Sequence, residues 1–221
     1  MPRIARAVAV GIPHHITQRG NYRQVVFEED SDYRQYLEWL KHYSNKYSLR
    51  IWAYCLMNNH VHFVAVPENE ESMARAFNTL HMRYAQYSNA KRGDKGHLWQ
   101  GRYYSTALDE RHLYAAMRYV ENNPVRIKAE KKAENYKWSS AKSHVKKTND
   151  QTLSGRCYLQ HEIKDWAQYL EEAEDKAITK ALIENTRTGR PSGDEDFIKK
   201  IENVVGRRLA AMPRGRPKRG E

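Results

Sequence analysis

The chain lacks what would place it in a membrane or an oxidising compartment. Across its 221 residues no apolar run is long enough to span a bilayer, and Met1-Pro2-Arg3-Ile4-Ala5-Arg6 has no signal-peptide core. A cytoplasmic, bacterial-type location with no membrane association is expected. The two cysteines, Cys55 and Cys157, stand far apart and form no C-x-x-C pair, which excludes a disulfide framework and a cysteine-based zinc site. Acidic residues are in deficit: 27 Asp+Glu against 38 Lys+Arg leave a net charge of +11. That imbalance favours a polyanionic partner, either nucleic acid or an anionic membrane surface.

What is present suffices for a core: 40% of residues are hydrophobic, with 15 tyrosines and 5 tryptophans. The length suits one domain of ordinary size plus an appendage. Ala9 to Gln18 reads as a first strand. Tyr33, Tyr36, Leu37, Leu40, Tyr43 and Tyr47 then recur at helical spacing behind an N-cap signal at Ser31-Asp32. Two apolar runs, Ile51 to Met57 and Val61 to Val66, flank Asn58-Asn59, a pair that tolerates positive φ and predicts a tight hairpin. A second helix carries Met73, Phe77, Leu80, Tyr84 and Tyr87 and ends at Gly93, and a short fourth strand follows near Tyr103 to Ser105. The order β-α-β-β-α-β is the split βαβ, ferredoxin-like arrangement, an α+β fold with an antiparallel sheet. A third helix, Glu110 to about Asn122, is the available cover for the second face of that sheet. An acidic helical stretch from Glu162 to Glu184 follows, and then a helix carrying Phe197, Ile198 and Ile201 with Ser192 and Glu195 at capping-box spacing. The expected division is 1–145, a mostly helical extension 146–212, and a basic tail 213–221 that is disordered alone.

The chemistry centres on His60-Val61-His62. On a strand, residues i and i+2 share a face, so the two imidazoles stand side by side and can share a divalent metal ion. Counting back through the loop pairs Met57 with His60 and Cys55 with His62, leaving Tyr54, Leu56 and Phe63 on the opposite face. Histidines on a half-buried strand are more often packing residues than ligands. Asn123, before Pro124, has the ordinary reading of a helix C-cap, and among tyrosines of the region Tyr103, Tyr114 and Tyr119 are equal candidates for reactivity. His14 and His15, on the first strand, have two readings, beside such a metal or simply packed, and packing is the ordinary one.

His60-Val61-His62, Leu98-Trp99-Gln100-Gly101-Arg102, Tyr119-Val120-Glu121-Asn122-Asn123-Pro124-Val125-Arg126 and Trp138-Ser139-Ser140 together resemble the bacterial REP-associated tyrosine transposases, which are single-tyrosine HUH endonucleases. The resemblance runs from about Ile12 to His144, and the tract from Thr186 to Leu209 looks like the C-terminal extension of many members. It implies a site-specific single-stranded DNA endonuclease and strand transferase acting on repetitive palindromic hairpins. It selects Tyr119 as nucleophile, and His60, His62 and Asn123 as ligands of Mg²⁺ or Mn²⁺. It also implies a monomer working at nucleoid DNA. Arg19, Arg102 and Arg126 are candidate phosphate contacts, Trp99 and Tyr103 candidate base-stacking residues, and Arg214 and Arg216 an AT-hook-like minor-groove element. The rival reading is a non-catalytic nucleic-acid binding protein with an open ferredoxin-like sheet.

Overall fold

The computed structural model describes residues 7–155 and 157–209. A four-stranded antiparallel sheet carries the fold: β1 (His14–Arg19), β2 (Leu49–Met57), β3 (His60–Pro67) and β4 (Tyr104–Ala107), in spatial order β2-β3-β1-β4. This is the ferredoxin-like arrangement expected. The hairpin register matches the count through the loop, with Met57 opposite His60 and Cys55 opposite His62. Its two-residue loop differs from expectation, because neither asparagine takes a positive φ. The turn is held from outside instead: Asn58 O accepts from Val26 N at 2.7 Å and Phe27 N at 3.0 Å, and Asn59 O accepts from Gly20 N at 2.8 Å. Gly20 has no room for a side chain, since a Cβ there would sit 2.5 Å from Gln24 O. Glycine is required here by close approach.

One face packs on α1 (Asp30–Lys46) and α2 (Ser72–Arg92) through Ile16, Tyr54, Leu56, Val61 and Phe63, with Tyr36, Phe77 and Tyr84 from the helices. Helix α1 is capped by Glu29 with Asp32 in a reciprocal capping box, displaced from the Ser31 signal. The other face, with Ala53, Cys55 and Val64, is covered by Leu113, Ala116, Met117 and Val120 of α3 (Glu110–Glu121). Both faces are therefore closed, which removes the open aromatic sheet that the rival binding-module reading requires.

Asn122 caps α3, and α4 (Asn123–Arg126) begins at the next residue, so Asn123 is not the C-cap. After α5 (Ala141–Lys146) the acidic stretch is broken into α6 (Leu159–Glu162), α7 (Trp166–Glu171) and α8 (Lys176–Thr188), because Asp165 and Asp175 each accept backbone N–H groups and start a new helix. The last helix, α9 (Glu195–Val205), is capped by Asp194 and not by Ser192. Ser192 is buried and bridges to Leu108 beside β4, with its N–H donating to Ala107 O at 2.8 Å. The extension is thus tied into the sheet edge. No helix among the described residues is long and apolar enough to cross a membrane.

Candidate functional site

Strand alternation places His15, Thr17 and Arg19 of β1 on the same face as His60 and His62, with Thr17 opposite His62 and Arg19 opposite His60. Helix α3 lays Tyr119 across these rings. The Tyr119 ring meets His62 edge-on at 5.4 Å and His15 edge-on at 5.7 Å, and the His60 and His62 rings are 4.9 Å apart. Asn123, one turn beyond Tyr119, lies close enough to act on both groups, raising the pKa of His60 and lowering that of Tyr119 against the larger effect of burial. The two histidines, the amide and the phenol singled out from sequence are brought together.

His15 joins them. Its Nε2 lies 3.1 Å from His62 Nδ1 in a near-parallel ring stack, and its Nδ1 lies 2.8 Å from Thr186 Oγ1. Of the two readings of the first-strand histidines, His15 is both buried and beside the paired histidines. His14 simply packs, its ring facing Ile12 O and Ala9 N. The signal for His15 was in the sequence, in the period-two alternation with Arg19.

Burial keeps the rings neutral. His62 is held well below the ordinary histidine range by desolvation and then by His60 and His15, His15 is lowered by desolvation to about 3, and His60 to about 4 by desolvation and Arg19. Neutral imidazoles beside an amide oxygen are a donor set that fits a divalent cation, and imidazole favours a transition ion over Mg²⁺. No cluster of three or more His, Cys, Asp or Glu able to hold a metal occurs among the described residues, so a third protein ligand beside His60 and His62 would have to be of another type, and the amide of Asn123 is of a suitable one. Burial, and to a lesser degree Glu174, raises the Tyr119 phenol above its ordinary value, an effect opposed by Arg126, Arg19 and Asn123. Arg126 lies over the Tyr119 ring at 4.7 Å and pairs with Glu174.

A cleft of about 450 Å³ opens at His15, His62 and Tyr119. Arg19, Arg23, Gln100 and Arg187 also line it, and no carboxylate does among the described residues. Arg23 and Arg187 were not singled out from sequence. Arg187 arrives on α8, and no local pattern reveals where that helix docks. Trp99 and Tyr103 are corrected: both are core residues, 8% and 2% exposed. The Trp99 Nε1 donates to His81 O at 3.0 Å and the Tyr103 ring packs on Phe77, so neither offers a face to a base. Arg102 is exposed on the loop before β4 and is not among the cleft residues. Arg214 and Arg216 lie outside the described residues.

The family model for IS200-like transposases matches residues 9–123, just over half the chain. The chain belongs to the IS200-like transposase family. Among solved structures, a REP-associated tyrosine transposase bound to a REP hairpin superposes with a TM-score of 0.54 over 70% of this chain and 92% of that one, at 17% identity. This likeness concerns the fold. A Deinococcus radiodurans R1 protein assigned as a transposase gives a TM-score of 0.38 at 19% identity, covering 55% of this chain and 97% of that one. A search of curated proteins finds no match.

Proposed function

We propose that this transposase is a metal-dependent endonuclease and strand transferase for single-stranded DNA, with Tyr119 as nucleophile. The observation that carries it is the Tyr119 phenol, set against His15 and His62 at the head of a cleft with arginines and no carboxylate among its described residues. The arginines of such a cleft attract a phosphodiester. His60, His62 and Asn123 would hold the divalent cation. When bound, the cation supplies neutralisation of the phosphate oxygens.

Tyr119 Oη forms a bond to phosphorus and the bond to the 3′-oxygen breaks. The product is a 5′-phosphotyrosine and a 3′-hydroxyl, with the proton lost by the phenol gained by the released oxygen. Arg126 and Arg19 favour the phenolate as it develops, and Asn123 orients it. Bond energy stays in the ester, so a second 3′-hydroxyl can reverse the step and join strands. Tyr22 takes the stacking role that Trp99 and Tyr103 cannot, being 94% exposed beside Arg23. The substrate is read as a palindromic hairpin and the enzyme as a monomer; a hairpin is also what the structural relative binds.

The test is labelled hairpin DNA with Mn²⁺. A protein-DNA species stable to denaturing electrophoresis is expected, and Tyr119→Phe should lose both it and cleavage while still binding DNA. Cleavage by Tyr119→Phe without an adduct would mean a hydrolytic nuclease using activated water.

A further inference from the structure

The extension beyond the family match reaches the histidines through one hydroxyl. Thr186, in the last turn of α8, is 2% exposed. Its Oγ1 lies 2.7 Å from Leu182 O and 2.8 Å from His15 Nδ1, and His15 Nε2 lies 3.1 Å from His62 Nδ1.

The protons along this chain can be assigned by counting donors. A carbonyl oxygen cannot donate, so the short contact to Leu182 takes the single hydrogen of the Thr186 hydroxyl. Thr186 can then only accept from His15, which puts the His15 hydrogen on Nδ1. The bare Nε2 of that neutral ring must in turn accept, and the group facing it is His62 Nδ1. His62 therefore carries its hydrogen on Nδ1. Its Nε2 is left with a free lone pair.

We propose that Thr186 and His15 are positioning residues that lock His62 in the Nδ1–H tautomer, so that Nε2 is the atom offered to a divalent cation. The inference rests on the reading of His62 as a ligand. It gives the extension a part in the site: α8 packs on β4, α3 and β1, outside residues 9–123, and delivers the group at the end of the relay. Partners on the non-ligating nitrogen commonly set ring orientation and ligand basicity, and their loss typically costs about 10–100-fold in metal affinity.

The experiment has two arms on the full chain. In the metal-free protein labelled with ¹⁵N-histidine, the His62 signals, assigned by their disappearance in His62→Gln, should show a protonated Nδ1 and a bare Nε2. A protonated Nε2 in the unsubstituted protein overturns the proposal, because it means that the Thr186 hydroxyl donates to His15 and the relay runs the other way. In the second arm, calorimetry with Mn²⁺ should show affinity reduced about 10–100-fold in Thr186→Val and restored in Thr186→Ser. Unchanged affinity in Thr186→Val also overturns it. Should Thr186→Val fail to fold, the unsubstituted spectrum and Thr186→Ser still decide. If the unsubstituted protein takes up no Mn²⁺, it is the metal reading that fails, while the tautomer remains readable from the spectrum.

Discussion

Tyr22 and Arg23 are held at φ 48° and 62°, a left-handed conformation that costs non-glycine residues free energy and tends to persist at functional sites. The strain turns a tyrosine into solvent next to an arginine of the cleft. Because its ring packs on nothing that folding needs, Tyr22→Ala should leave the unfolding midpoint unchanged. It should weaken single-stranded DNA binding by about 1–3 kcal/mol, the usual worth of one stacked base, measurable by fluorescence anisotropy. Equal affinity would remove Tyr22 from the DNA surface. At the same scale, His60→Ala and His62→Ala should each abolish the Mn²⁺ heat in calorimetry and keep the native circular dichroism spectrum. Parental binding in both would move the metal site elsewhere.

The orientation of α3 depends on a single buried carboxylate two residues beyond Tyr119. Glu121 is fully buried and accepts from His144 Nδ1 at 2.6 Å, from Trp166 Nε1 at 2.7 Å, and from the Ser140 hydroxyl, joining α3 to α5, α7 and the segment paired with β2. Glu121→Ala would orphan two buried donors, His144 Nδ1 and Trp166 Nε1, and leave the Ser140 hydroxyl only Tyr54 O, so a loss of about 3 kcal/mol or more in urea unfolding is expected. A loss below about 1 kcal/mol would mean that water replaces the carboxylate. The α1–α2 pair has its own carboxylate. Asp32 accepts from Glu28 N, Glu29 N and Lys91 Nζ, and although burial raises its pKa, the Lys91 and backbone hydrogen bonds outweigh that and hold it below the ordinary aspartate value. A depressed folded pKa gives stability that is present above the unfolded pKa of about 3.9 and lost as pH falls through the folded value. Asp32→Asn should therefore cost about 1–3 kcal/mol at pH 7, and the gap to the parent should close below about pH 4 in urea titrations.

For the whole molecule the net charge of +11 makes DNA binding a counterion-release process. Affinity should fall linearly in a double-logarithmic plot against salt. Truncation after Met212 removes Arg214, Arg216, Lys218 and Arg219 and should flatten that slope by about 0.7 for each single-strand phosphate the tail no longer neutralises, without moving the cleavage position. An unchanged slope would take the tail off the DNA.

Local patterning determined much of this protein by itself. The hairpin register and the face carrying His60 and His62 follow from period-two alternation and a two-residue loop, and the apolar stripes of α1, α2 and α3 follow from helical spacing. These are near-neighbour properties, fixed by where each Cβ points. Tertiary structure decided what depends on docking. Trp99 and Tyr103, near a glycine-containing turn, suit base stacking and a structural role equally by sequence, and the loop folds inward and buries them. Breaks in the acidic stretch were carried by Asp165 and Asp175, whose capping strength competes with helix continuation in a way composition does not reveal. His15 meets His62 only because β1 pairs with β3, and Thr186 meets His15 only because α8 packs over the sheet from 171 residues away. Contacts at that separation leave no local trace in a sequence, because they are selected by the fit of packed surfaces and not by the periodicity of either partner.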